Sequence, residues 1–84
     1  MKTIWKYEIT PCCEIQVPKN GKVLTVQIQK EQPCLWILVD PTAEKEVRKF
    51  VTYGTEHEIK YNNGKYIGTF QIANGDLIFH VFEE

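Results

Sequence analysis

Two histidines are the side chains of this sequence best suited to proton transfer. His57 stands between carboxylates in Thr55-Glu56-His57-Glu58, where a neighbouring acid could orient it as a general base. No motif places a nucleophile or a second acid beside it, so a solvated loop histidine is the favoured interpretation. We therefore expect no enzymatic activity, and an enzyme that uses His57 or His80 is the least favoured hypothesis.

Three cysteines are the residues that could bind a metal or form a disulfide: Cys12, Cys13 and Cys34. No two of them have the C-x-x-C spacing of a structural zinc site, and neither histidine lies near them in the sequence. An odd count without a secretion signal indicates reduced thiols in a cytoplasm. We therefore expect free thiols, no bound metal and no cofactor.

Apolar residues alternate with polar ones on both sides of Asn20-Gly21, which predicts two strands joined by a tight hairpin. With these two residues as the loop, apolar side chains meet apolar side chains at every step, and a one-residue slip would turn them all outward. The predicted core pairs are Val17 with Leu24, Ile15 with Val26 and Cys13 with Ile28.

Asn74-Gly75 predicts a second hairpin of the same kind. Its core face pairs Ile72 with Leu77, Phe70 with Phe79 and Gly68 with Val81, and its other face pairs Gln71 with Ile78, Thr69 with His80 and Ile67 with Phe82. Gly68 beside large aromatic side chains indicates a bend or a close backbone approach. For His80, the favoured interpretation is a partly buried imidazole hydrogen-bonded to a neighbour such as Thr69, and ligand contact is the alternative.

The apolar run at residues 35–39 predicts a central strand that is covered on both faces. A tight turn at Glu31-Gln32 would place Leu35, Ile37 and Val39 in the core, and Trp36 and Leu38 on the opposite face. Further strands are expected at residues 4–9 and 46–53; the alternation in the second is less clean and could hide a bulge. A polar connection at residues 54–64 could hold a short strand at 57–61. The fold class is mainly β: one domain, residues 1–84, forming a small antiparallel β-sandwich or barrel of about six to seven strands.

The second faces of the sheet carry more apolar surface than a small monomer leaves uncovered. The first strand and the connection at residues 54–64 could cover it, which is the slightly favoured interpretation; otherwise the surface is a homodimer or partner interface. The candidate binding residues are Trp36, Leu38, Arg48, Ile67, Thr69, His80 and Phe82.

The charge pattern narrows the class of partner. The net charge is −1, and the ten basic residues, nine lysines and Arg48, are scattered along the chain. Duplex nucleic acid is therefore not an expected partner, because such proteins carry a basic stripe. A compact anionic ligand remains a possible partner, because it needs only a few hydrogen-bond donors.

We expect neither a signal peptide nor a membrane span, since the longest aliphatic or aromatic run is residues 35–39.

Three segments that together span nearly the whole chain carry a resemblance to a known family. They are Met1-Lys2-Thr3-Ile4-Trp5-Lys6-Tyr7-Glu8, Pro33-Cys34-Leu35-Trp36-Ile37-Leu38-Val39-Asp40-Pro41, and Gly64-Lys65-Tyr66-Ile67-Gly68-Thr69-Phe70-Gln71 with Phe79-His80-Val81-Phe82-Glu83. In these segments the chain resembles a family of short uncharacterised proteins of bacteriophages and prophages. No activity is established for that family, so the resemblance carries over no catalytic residue, and Cys12-Cys13 departs from its pattern.

The resemblance implies a phage-encoded accessory protein that acts in the cytoplasm of a bacterial host. By analogy with other small phage proteins, the leading hypothesis is stoichiometric binding by an oligomer. Its target would be a host defence protein, which it inhibits, or a small anionic nucleotide signal, which it sequesters, through the face of Trp36 or that of His80. The alternative is a small structural or assembly component of the phage particle.

Overall fold

The computed structural model describes residues 1–59 and 64–84, in which seven strands form two antiparallel sheets. One sheet has three strands in the order β1-β4-β3, and the other has four in the order β2-β5-β7-β6. The fold class is therefore mainly β, as the alternation predicts. The strands are β1 (Thr3–Glu8), β2 (Cys12–Pro18), β3 (Lys22–Gln29), β4 (Gln32–Val39), β5 (Lys45–Gly54), β6 (Lys65–Ile72) and β7 (Leu77–Glu83).

The central strand predicted at residues 35–39 is confirmed as β4, which pairs with β1 on one side and β3 on the other. Leu35, Ile37 and Val39 are buried, whereas Trp36 and Leu38 are half-buried on the opposite face. The prediction that this strand is covered on both faces is therefore wrong, because both neighbouring strands lie beside it in the same sheet. The turn that precedes β4 lies one residue earlier than predicted. Lys30 and Glu31 form it, both with positive φ (50° and 68°), and Gln32 already pairs with Gln29.

The second hairpin is confirmed. Ile72 faces Leu77, and the remaining predicted pairs follow up to Gly68 opposite Val81. Asn74 (φ 56°, ψ 32°) and Gly75 (φ 90°) take the positive φ of the two central residues of a type I′ turn, and Ala73 before them also has a positive φ (53°). The amide of Asp76 closes the turn by donating to the carbonyl of Ala73 at 3.0 Å.

The first hairpin prediction is wrong, because the two strands that flank Asn20-Gly21 belong to different sheets. β2 pairs with β5, so Cys13 lies opposite Phe50 rather than Ile28. β3 pairs with β4, so Val26 lies opposite Leu35. Ile15 and Val26 do face one core, but from opposite sheets.

A tight turn at residues 18–21 carries the chain from one sheet to the other. The amide of Gly21 donates to the carbonyl of Pro18 at 3.1 Å, and Asn20 takes the positive φ (66°). A Cβ atom on Gly21 would lie 2.8 Å from Cγ1 of Val17 and 3.1 Å from Cγ2 of Ile37. Glycine is therefore needed here because the backbone passes between side chains of both sheets.

Two register shifts reverse the predicted side-chain parity. The pairing of β3 with β4 shifts between Val23 and Thr25, which leaves Leu24 45% exposed instead of in the core. The pairing of β6 with β7 shifts next to Ile67, whose side chain packs against the core, so its predicted pairing with Phe82 is also wrong. The bulge predicted in residues 46–53 is not found, since β5 pairs without a register shift over its described neighbours.

The inner faces of the two sheets form one apolar core. Its largest fully buried side chains include Phe50, Leu35 and Ile37. The sheets come closest between β3 and β6, where a Cβ atom on Gly68 would lie only 2.6 Å from Cγ1 of Val26. The close backbone approach predicted at this glycine is therefore confirmed.

The remaining segments add few constraints on the site. The part of the polar connection at residues 55–59 contains no strand, and residues 60 and 61 of the predicted short strand lie outside the described residues. Cys12 is exposed, Cys13 is half-buried and Cys34 is buried, and all three thiols are free. Burial raises the pKa of the Cys34 thiol above its ordinary value. No helix among the described residues is long and apolar enough to cross a membrane.

The contact between Gly68 and Val26 makes a specific prediction about stability. We expect Gly68→Ala to lower the free energy of unfolding by about 1–3 kcal/mol, because the added methyl group overlaps a stiff, buried valine. Urea denaturation would measure this change. In a Val26→Ala background the same substitution should cost much less, and an equal cost in both backgrounds would show that the two sheets do not meet here.

Candidate functional site

The outer face of the four-stranded sheet brings together most of the candidate residues of the second hairpin. Because side chains alternate along β7, Phe79, Val81 and Glu83 point inward while His80 and Phe82 point outward. Neighbouring strands and the turn after β5 extend this patch. We call it the His80 face, and it consists of Tyr53, Thr55, Tyr66, Thr69, His80 and Phe82.

A chain of hydrogen bonds fixes the polar side chains of the His80 face. Nε2 of His80 lies 2.8 Å from the hydroxyl of Thr55, and Nδ1 lies 3.0 Å from the hydroxyl of Thr69. The hydroxyl of Thr69 is in turn 2.5 Å from that of Tyr66. The predicted hydrogen bond between His80 and Thr69 is therefore confirmed, and the imidazole is held from both sides.

Aromatic contacts fix the apolar part of the same face. Phe82 makes edge-to-face contacts with two tyrosines, with ring centroids 5.9 Å from Tyr53 and 5.6 Å from Tyr66. This geometry is favourable beyond the apolar area it buries. Tyr66 remains 54% exposed, so its ring presents a large surface to solvent at a fixed orientation.

The hydrogen bonds of His80 determine what the face can do chemically. Both ring nitrogens have a threonine hydroxyl as partner, which favours a structural and binding role over proton transfer to a substrate. A rigid set of tyrosine, phenylalanine and histidine side chains on a sheet surface is typical of a protein-binding patch.

Arg48, a candidate for anion binding, is instead held by its own chain. Its Nε and Nη2 donate to the two carboxylate oxygens of Glu83 at 2.6 and 2.8 Å, and Nη1 donates to the carbonyl of Gly21 at 2.5 Å. The guanidinium also lies 5.9 Å from the ring centroid of Phe50. These side-chain hydrogen bonds to Glu83 raise the pKa of Arg48. Among the described residues that line this end of the sandwich, Lys22 and Lys65 are the other cations that could contact an anion.

Trp36 and Leu38 lie on the outer face of the three-stranded sheet, away from His80. We call this patch the Trp36 face; its members are Ile4, Leu24, Trp36 and Leu38. The expectation that the first strand covers it is wrong, because β1 lies beside β4 in the same sheet. Ile4 is 53% exposed and Leu24 is 45% exposed, so the patch faces solvent.

The other residues considered for chemistry are dispersed. His57 packs its ring against Gly54, where a Cβ atom would lie 2.7 Å from Cε1 of the imidazole. Its amide donates to the carbonyl of Gly54 at 3.1 Å, so it belongs to a turn as the sequence indicates. Within residues 1–59 and 64–84 no group of three potential metal ligands is assembled.

Three members of the His80 face were missed from the sequence: Tyr53, Thr55 and Tyr66. Simple alternation places Tyr66 on the core side with Gly68, and only the register shift at Ile67 turns it outward opposite Phe82. Tyr53 lies opposite His80 on β5, and Thr55 lies just beyond, so both depend on the pairing of β5 with β7. No local signal in the sequence specifies that long-range pairing.

These features define a small antiparallel β-sandwich with a preorganised aromatic patch on one outer face. The chain belongs to the family described as domain of unknown function DUF7352, whose model matches residues 1–84. No curated protein and no solved structure gives a match to the chain.

Thr69 links His80 to Tyr66, which leads to a prediction. We expect Thr69→Val to lower the free energy of unfolding by about 1 kcal/mol, because it removes the hydroxyl that partners both side chains. Thr69→Ser keeps the hydroxyl and is the matched control, although valine has the better strand propensity. Chemical denaturation would compare the variants, and a valine variant at least as stable as the serine variant would contradict the network.

Proposed function

We propose that this chain is a phage-encoded, non-enzymatic accessory protein that binds a bacterial host protein stoichiometrically through the His80 face. The proposal places it in the host cytoplasm and takes inhibition of a defence protein as the consequence of binding. Its phage origin is supported by the family resemblance of the segments at residues 1–8, 33–41, 64–71 and 79–83.

The observation that carries the proposal is the exposed and immobilised ring of Tyr66. It is 54% exposed, yet its hydroxyl is hydrogen-bonded to Thr69 and its ring contacts Phe82. An aromatic side chain that is already ordered loses little conformational entropy when a partner covers it. Tyrosine is one of the residue types enriched among the hot spots that dominate binding energy at protein interfaces.

The shape and charge of the face favour a protein over a small anion. The His80 face is a sheet surface, which fits the broad contact area of a protein partner better than the concave site that a small molecule needs. The guanidinium of Arg48 is already neutralised by Glu83 at the inner edge of the sandwich. A sequestered anionic nucleotide is therefore the second choice within this proposal.

Self-association is part of the proposal and is assigned to the Trp36 face. This patch lies on the opposite sheet from the His80 face, so an oligomer formed through it would leave the binding surface free. Its exposed members are aliphatic, and aliphatic and aromatic surface is typical of homo-oligomer interfaces.

Capture of partners from bacterial lysate tests the proposal. Tagged protein is compared with Tyr66→Ala and with Val47→Ala, a matched control that is 59% exposed on the same sheet outside the His80 face. Bound proteins and small molecules are identified by mass spectrometry. Affinity for the captured protein should fall about 30-fold or more with Tyr66→Ala, a loss typical of an interface hot spot, and stay unchanged with Val47→Ala.

Other outcomes would overturn the proposal. A captured protein retained equally by all three forms would exclude the His80 face as its binding site. An anionic nucleotide as the bound species would favour sequestration instead. Stoichiometric recovery of the chain in purified phage particles would favour the structural alternative.

A further inference from the structure

The end of the sandwich opposite Arg48 contains a half-open cavity of about 290 Å³ between the two sheets. It is formed where β1 leads into β2, where β4 begins, and where the hairpin of β6 and β7 closes. Its lining includes Ile9, Gln32, Thr52, Phe70, Ile72 and Phe79. None of the described residues that line the cavity belongs to the His80 face or the Trp36 face.

We infer that this cavity binds a small, neutral, bicyclic aromatic molecule that carries one N–H donor. The inference is independent of the proposed function, since it concerns a different surface and a different class of ligand.

The size and lining of the cavity select the aromatic part of the ligand. A dry apolar cavity of about 150 Å³ holds benzene, so a volume near 290 Å³ suits two fused rings. Phe70 and Phe79 stack with ring centroids 5.5 Å apart and an interplanar angle of 29°, which gives the cavity an aromatic wall. Ile9 is 3% exposed and Phe70 is 8% exposed, so this wall belongs to the core.

The polar groups of the cavity select a neutral ligand with a donor. Among the described residues that line it, none is charged. Nε2 of Gln32 donates to the carbonyls of Ile9 and Pro33 at 2.9 and 3.1 Å, which fixes the carboxamide. Its Oε1 receives no hydrogen bond from the part of the chain that the structure describes, and it is therefore left as an acceptor for a ligand N–H.

Backbone hydrogen bonds join the segments that form the mouth of the cavity. The amide of Ile9 donates to the carbonyl of Pro33 at 3.0 Å, and the amide of Thr52 donates to the carbonyl of Pro11 at 2.8 Å. Two prolines in these bonded segments further restrict the backbone. A preformed, mostly apolar cavity with a small number of polar groups, here Thr10, Gln32 and Thr52, is the usual form of a small-molecule site.

Indole is the probe that tests the inference, by titration of ¹⁵N-labelled full-length protein followed by NMR. We expect saturable shifts of the Thr52, Phe70 and Phe79 amides with a Kd below about 1 mM, a moderate affinity for nine heavy atoms. Benzothiophene has nearly the same shape without the N–H group but is more apolar, so the hydrogen bond is measured from the ratio of the two affinities. Gln32→Leu should lower the affinity for indole relative to that for benzothiophene about fivefold, by the loss of one hydrogen bond, and an unchanged ratio would contradict the role of Gln32.

A second set of variants tests the location of the site. Thr52→Leu fills the cavity and should weaken indole binding at least tenfold, whereas Val47→Ala, outside the cavity, should not change it. Ile72→Trp is the replacement if Thr52→Leu does not fold.

Three results would overturn the inference. The first is shifts that do not saturate or that map to the Trp36 face or the His80 face. The second is unchanged binding in the filled variant, Thr52→Leu or its replacement Ile72→Trp. The third is N-acetyltryptophanamide binding tenfold more tightly than indole, which would identify a protein side chain as the occupant instead of a free small molecule.

Discussion

The ion pair between Arg48 and Glu83 is the interaction on which the rest of the structure depends. It joins β5 to the end of β7, and a third hydrogen bond reaches the carbonyl of Gly21, where the chain crosses from one sheet to the other. The two side chains are only 15% and 19% exposed. A bidentate pair in this setting is stronger and more directional than a surface ion pair, and removing one partner would leave a poorly solvated charge. The crossing point of the chain is therefore held at one fixed position.

β7 connects this ion pair to both binding surfaces. Its inward side chains run from Glu83 in the ion pair, through the core, to Phe79 in the cavity wall. Its outward side chains include His80 and Phe82, the centre of the His80 face. Because β7 is paired on both sides, these side chains are positioned by two ladders of backbone hydrogen bonds. One internal strand thus aligns the core, the exposed aromatic patch and the cavity.

The sequence correctly predicts the structural features that depend on residues close together in the chain. Asn74-Gly75 specifies a type I′ turn, and parity from that turn places His80 opposite Thr69. Asn20-Gly21 carries the same signal, but here the turn leads from one sheet to the other. Two strands that face each other across a core show the same alternation of apolar residues as two strands paired in a hairpin, so the pattern does not distinguish them. The alternation of apolar and polar residues gives no sign of the register shifts at Leu24 and Ile67. These shifts decide which neighbouring side chains face solvent.

The central claim is that β2 and β3 lie in different sheets on either side of one core, and backbone NOEs of the isotope-labelled protein test it most directly. Residues directly opposite in an antiparallel ladder have their α-carbons about 4.5–5.5 Å apart, within reach of NOEs between backbone protons. The structure predicts such NOEs between Cys13 and Phe50 and between Val26 and Leu35. Backbone NOEs between Ile15 and Val26 would instead place β2 and β3 in one hairpin and contradict the account.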